Sequence, residues 1–115
     1  MALSASALPE ESRRIALLVM RSNMDVALCP FFGKCDGVLV FDPHKKSQEF
    51  HVNEQRTATA MCDLILKIGV DRVVSGFIGG TAVQKLRAAG IDVRLGSCSC
   101  AVEDLAAGFD GLPRA

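Results

Sequence analysis

Residues 69–96, GVDRVVSGFIGGTAVQKLRAAGIDVRLG, hold the pattern on which the fold turns. "DRVVSGF" is a short apolar run of strand length, and "GGTAVQKLRAAG" follows it with Val83 and Leu86 on one helical face and Gly90 as terminator. "IDVRLG" is then a further short strand. A strand, a helix and a strand in this order close a right-handed crossover, so the two strands are expected to be parallel with the helix packed across them.

Upstream, "RRIALLVM" is a continuous apolar run and predicts a central strand buried on both faces. Residues 21–37, RSNMDVALCPFFGKCDG, mix polar residues, a Pro and two Gly without a clear period, which predicts a long loop of the kind that often carries function. "GVLVFD" and "SQEFHV" flank the turn-rich "PHKK" and predict an antiparallel hairpin. In "RTATAMCDLILKIG", Ala58, Met61, Cys62, Ile65 and Ile68 fall at helical spacing ahead of a terminating Gly69, and "AVEDLAAGF" predicts a last helix. The order β, β, β, α, β, α, β, α defines an α/β protein of three layers. A five-stranded mixed sheet of order 3-2-1-4-5 is expected, with strand 2 antiparallel and helices on both faces.

A chain of 115 residues, half of them hydrophobic, has room for one domain with its own core, placed at residues 13–112 behind a flexible N-terminal tail of residues 1–12. Thirteen basic and thirteen acidic residues cancel, and no block of Lys or Arg stands out, so nucleic acid and anionic membranes are not expected partners. The start, MALSASALPEESRR, lacks a basic segment leading into an apolar one, and the next apolar run is too short to span a bilayer, so a cytoplasmic location is expected. Five cysteines in a reducing compartment point to metal binding or redox chemistry rather than a disulfide scaffold.

In an open α/β sheet the working surface lies past the carboxyl ends of the parallel strands. The loop after strand one carries Cys29 and Cys35, that after strand four carries "GFIGG", and that after strand five carries Cys98 and Cys100. Four thiols are thus expected at one sheet edge, without Cys62, whose helical position sends it to the core. Thiolates suit tetrahedral zinc or an iron–sulfur cluster. The spacings Cys-x5-Cys and Cys-x-Cys miss both the zinc-knuckle and the ferredoxin patterns, and a dispersed set of this kind suits a metal–sulfide guest that is held and released. Cys100 is expected at a helix start, where the dipole favours the thiolate and Glu103 completes a capping box. Gly79 and Gly80 would offer backbone N–H groups to sulfides or oxyanions beside the thiols.

Blander uses compete at each position. Cys29 and Cys35 serve equally as small buried residues, whereas for Cys98 and Cys100 ligation outweighs use as small loop residues. His44, in the polar turn, and His51, in an edge strand, are expected to be solvated, and Met20 and Met24 to pack rather than ligate. "GFIGG" lacks the Lys and Ser/Thr order of a phosphate loop. Strands one and four carry no acid for two-metal nuclease chemistry, Asp25 and Asp36 alone make a poor catalytic pair, and no Ser/His/Asp or Cys/His set is legible. An enzyme is not expected.

"RIALLVM", "FFGKCDGVLVFD", "LKIGVDRVVSGFIGGTAVQKLRAAGIDVRLG" and "VEDLAAGF" together resemble the dinitrogenase iron–molybdenum cofactor biosynthesis family, small ribonuclease-H-like domains that bind metalloclusters. The resemblance runs over residues 13–110. It implies a ribonuclease-H-like fold and a carrier or assembly accessory for an iron–sulfur or molybdenum/iron–sulfide cluster, with cluster donor and recipient proteins as partners. Zinc in a stabilised interaction module, reversible disulfides among Cys29, Cys35, Cys98 and Cys100, and a homodimer sharing one cluster stand as alternatives. Where the family often has His before Phe-Gly, this chain has Phe31, so no His ligand carries over and an all-thiolate site is implied instead.

Overall fold

A computed structural model of the chain describes residues 14–22, 25–42 and 47–115. The tail, Met24, His44 and the "PHKK" turn lie outside the described residues. Strand β1 (Ile15–Ser22) alternates its side chains between two separate cores. Ala16 and Leu18 face one, and Ile15, Leu17 and Val19 face the other. Leu17 and Leu18 are fully buried, each contributing about 1.5–3 kcal/mol of transfer free energy. This explains why β1 carries no alternation of polar and apolar residues.

Strands β3 (Gly37–Asp42) and β4 (Ser47–Val52) extend the sheet antiparallel on one side of β1. On the other side β5 (Arg72–Ser75) runs parallel to β1, and β6 (Asp92–Leu95) parallel to β5. The path is β4-β3-β1-β5-β6. The α/β class and the mixed sheet hold, but among the described residues the sheet has six strands, not five. Part of the expected loop at residues 21–37 is strand. Residues of β1 beyond Val19 pair antiparallel with β2 (Asp25–Leu28), in register from Val19 opposite Leu28 to Ser22 opposite Asp25. Only Leu28 of β2 is buried, so four residues with a single inward side chain leave no periodic signal.

Helices α1 (Ala58–Ile68) and α2 (Gly80–Ala88) pack on one face of the sheet. The Thr57 side chain accepts from the Ala60 N–H at 3.1 Å to open α1, and Gly69, at φ +85°, closes it with an N–H to the Ile65 carbonyl. Met61, Cys62 and Ile65 face inward from α1, as do Ala82, Val83 and Leu86 from α2. The short α3 (Val102–Ala107) covers the opposite face with Val102 and Leu105, beside Phe109. The expected capping box at its start does not form. Ala101 is the cap residue and has no side-chain acceptor, so Glu103 and Asp104 support the first turn through the dipole instead. No helix among the described residues is long and apolar enough to cross a membrane.

Candidate functional site

Past the carboxyl end of β5, and beside Leu18 midway along β1, the backbone is laced together in a way that sets the site. The Cys29 N–H donates to the Leu18 carbonyl at 2.8 Å, the Phe77 N–H to Pro30 at 2.7 Å, and the Phe32 N–H to Phe77 at 2.9 Å. Phe31 and Phe77 are consequently bridge partners on parallel segments. This contact requires Gly76, because a Cβ there would stand 2.5 Å from the Cys29 carbonyl oxygen. Both bridge residues are large apolar side chains left in solvent, Phe31 at 56% and Phe77 at 70% exposure. Phe31 is the residue that stands in the expected His position.

Phe77 divides two open clefts. One, of about 490 Å³, lies between the starts of α1 and α2 and is lined by Phe31, Lys34, Arg56, Thr57, Gly79 and Gly80 among others. Its charged lining residues, Lys34 and Arg56, are both cations. Gly79 caps α2 without a side-chain hydrogen bond, so the first N–H groups of α2 are left to the cleft at the positive end of the helix dipole. Arg56 holds a left-handed φ of 55°, a backbone strain offset by a 2.6 Å ion pair with Asp36, which also accepts from the Arg21 N–H at 2.8 Å. The Asp36 contact answers much of the Arg56 charge, so Lys34 and the first N–H groups of α2 are the positive groups that this cleft leaves unpaired beside the Phe31 and Phe77 rings.

The second cleft, about 400 Å³, is lined by Pro30, Gly76, Phe77, Ile78, Gly96 and Cys98 together with Leu95 and Ala115. Cys98 and Cys100 are both exposed. The turn holding them is tied by a Ser97–Ser99 hydroxyl contact of 2.7 Å and by the Cys100 N–H donating to the Ser97 carbonyl at 3.2 Å. Cys98 thus reaches a cleft, while Cys100 precedes α3 on the outer surface.

Cys29 and Cys35 are placed differently. Both are buried, and both thiols donate to the Phe31 carbonyl, at 3.1 and 3.0 Å; Cys35 also reaches the Phe32 carbonyl at 3.3 Å. The buried Asn53 amide donates to the Cys35 carbonyl at 3.1 Å and holds the far end of the segment. Burial pushes the Cys35 thiol far above its ordinary range, helped by the hydrogen bond and charge of Cys29 and, more weakly, by Asp36 and Cys98. Cys62 is buried under α1 and is likewise raised, mainly by burial. His51 lies on the edge strand β4, 3.4 Å from Glu49. Among the described residues no three His, Cys, Asp or Glu side chains form a group able to hold a metal ion, so the four sulfurs are not one ready-made ligand set. The lining residues that sequence reasoning missed are Lys34, Arg56 and Phe77. The exposed Phe in "GFIGG" was their one visible trace.

The chain is thus a mixed α/β sheet with two clefts that meet at Phe77, one lined by Lys34 and Arg56 and the other by Cys98. Residues 13–109 match the family model described as dinitrogenase iron-molybdenum cofactor, and the chain belongs to that family. In structure it is similar to the apo form of the orange protein from Desulfovibrio gigas, with a TM-score of 0.80 and 27% identity over 90% of this chain and 92% of that one. It shares its fold with a NifB-like protein from Thermotoga of the DUF35 family, with a TM-score of 0.66 and 15% identity over 85% and 87%. No curated protein matches the chain in sequence.

Proposed function

We propose that this protein binds and carries a preformed metal–sulfide cluster of the iron–sulfur or molybdenum/iron–sulfide class, as a non-catalytic accessory of metallocofactor assembly in the cytoplasm. The observation that carries the reading is the pair of clefts on either side of Phe77. One offers cations and free helix N–H groups to an anionic guest, and the other offers the Cys98 thiol. Such a cluster brings its own sulfides, so the protein needs few ligands and no closed four-thiolate cage. Cys98, which lines one cleft, and Cys100, two residues on in the same exposed turn, are the thiolates proposed to grip it, and Gly79 and Gly80, across Phe77, would donate N–H bonds to a guest large enough to span both clefts. Two open clefts also suit loading from a donor protein and delivery to a recipient. Membership of the iron-molybdenum cofactor family supports the same class of cargo.

The test is anaerobic reconstitution with ferrous iron and sulfide, and in parallel with tetrathiomolybdate, followed by gel filtration and measurement of bound metal and visible absorption. The wild-type protein should retain a coloured species. Cys98→Ser/Cys100→Ser should lose most of it, and Lys34→Ala/Arg56→Ala should weaken retention several-fold. Equal metal retention by the cysteine double variant would refute thiolate ligation.

A further inference from the structure

Two thiols lie sealed beneath the rim shared by the clefts, and cargo binding as proposed does not use them. Cys29 and Cys35 are 2% and 0% exposed, and both are free. Because both sulfurs donate to one oxygen, that of Phe31, they cannot stand farther apart than those two hydrogen bonds laid end to end. Cys35 also reaches the neighbouring Phe32 carbonyl at 3.3 Å, so both sulfurs sit against the same short stretch of backbone. The five residues between them form the rim itself. Pro30 faces the Cys98 cleft, while Phe31, Gly33 and Lys34 face the cationic one.

We infer that Cys29 and Cys35 form a dithiol switch, whose closure to a disulfide re-aims the Phe31–Lys34 rim and so changes the hold on cargo. In the reduced state two S–H donors converge on the Phe31 carbonyl and keep the rim in the observed position. A disulfide has no S–H, so that oxygen loses both partners at once. The bond also demands a narrow range of sulfur dihedral and Cβ separation, which transmits a new geometry to the short loop it closes.

Hydrogen peroxide serves as oxidant. The Cys29 sulfur gives an electron pair to one peroxide oxygen; the O–O bond breaks, and the departing hydroxide takes the thiol proton as water. Cys35 sulfur then attacks the resulting sulfenic sulfur, its S–O bond breaks, and the second hydroxide leaves as water with the Cys35 proton. Two electrons leave the sulfur pair, one peroxide is reduced, and a dithiol reductant reverses the change by exchange. The exposed Cys98 and Cys100 are poorer partners for one another, since a single intervening residue forces a strained bridge.

The effect on cargo rests on the carrier reading above; the disulfide does not. The full-length folded protein is treated with mild peroxide, alkylated, digested and mapped by mass, with amide hydrogen exchange recorded on the same samples. The expected product is a Cys29–Cys35 link with Cys62 free, faster exchange over residues 31–34, reversal by dithiothreitol, and the same link in Cys98→Ser/Cys100→Ser. A dominant Cys98–Cys100 link, or Cys29 and Cys35 staying reduced until the chain unfolds, overturns the switch. So does a link that leaves exchange at the rim unchanged. Iron–sulfide uptake by the reduced and oxidised forms is then compared, with a several-fold difference expected. Equal uptake overturns control of cargo by the switch, whereas uptake by neither form defeats the carrier reading and leaves the link and the exchange change to decide the switch.

Discussion

The Cys35 thiol shows how far burial alone can change one side chain. Removed from water and placed beside Cys29, it keeps its proton in the folded protein well beyond the pH at which the unfolded chain, near the ordinary value of 9.0, would release it. The stability that Cys35 contributes is therefore complete below about 9 and drains away as pH rises above that value, because the unfolded state gains the ionised form first. Cys62, raised mainly by burial, acts in the same direction. Urea midpoints should fall on moving from neutral to strongly alkaline pH, and Cys35→Ala should flatten part of that slope. An unchanged slope in the variant would show that Cys35 is not responsible. At this scale the sequence disclosed which residues were thiols and that Cys62 was internal, from its helical spacing. It did not separate the sealed pair from the exposed pair, because residues 29–35 carry no period and their burial comes from β5 and α1 lying over them.

The elements meet closely where the end of β5 passes the Cys29–Phe32 segment. A methyl at Gly76 would press on the Cys29 and Pro30 carbonyls at 2.5 and 2.8 Å, with no flexible side chain to yield. Gly76→Ala should cost about 1–3 kcal/mol in urea denaturation by overpacking and should part Phe31 from Phe77, visible as altered amide shifts at both. A loss of stability without those shifts would place the strain elsewhere. Strands β3 and β4 and the two longer helices were legible because each holds enough residues to show a period and a terminator. Strand β2 was not, since its pairing depends on the hydrogen bonds of β1 beyond Val19 rather than on its own side chains. The start of α3 shifted from its expected place for a related reason: Ala101 offers no cap, and the packing of Val102 and Leu105 decides where the turn begins.

For the whole molecule, the face covered by α3 is the thinner one, and Arg94 on β6 ties it down. Its guanidinium pairs with Asp92 at 2.8 Å, donates to the Asp110 and Leu112 carbonyls at 3.1 and 2.8 Å, and lies 5.0 Å from the centre of the Phe109 ring. The same contact holds the Asp92 carboxyl below its usual range, first by hydrogen bonding. Residues beyond it continue along β6, where the Leu95 N–H donates to Pro113 and the Ala115 N–H to Val93. Arg94→Met should lower the urea midpoint and loosen residues 109–115, measurable as lost amide protection there. Undiminished protection would assign the clamp to Phe109 packing alone. The sequence by itself determined the layers, the mixed sheet and the family, because periodicity and terminators are local and the strand–helix–strand block at residues 69–96 admits few topologies. Only the tertiary structure decided that Phe31 meets Phe77, that Lys34 and Arg56 line a cleft between two helix starts, and that two thiols are sealed while two are exposed. Those contacts join residues remote in the chain, and they exist only once β5 has been laid beside β1.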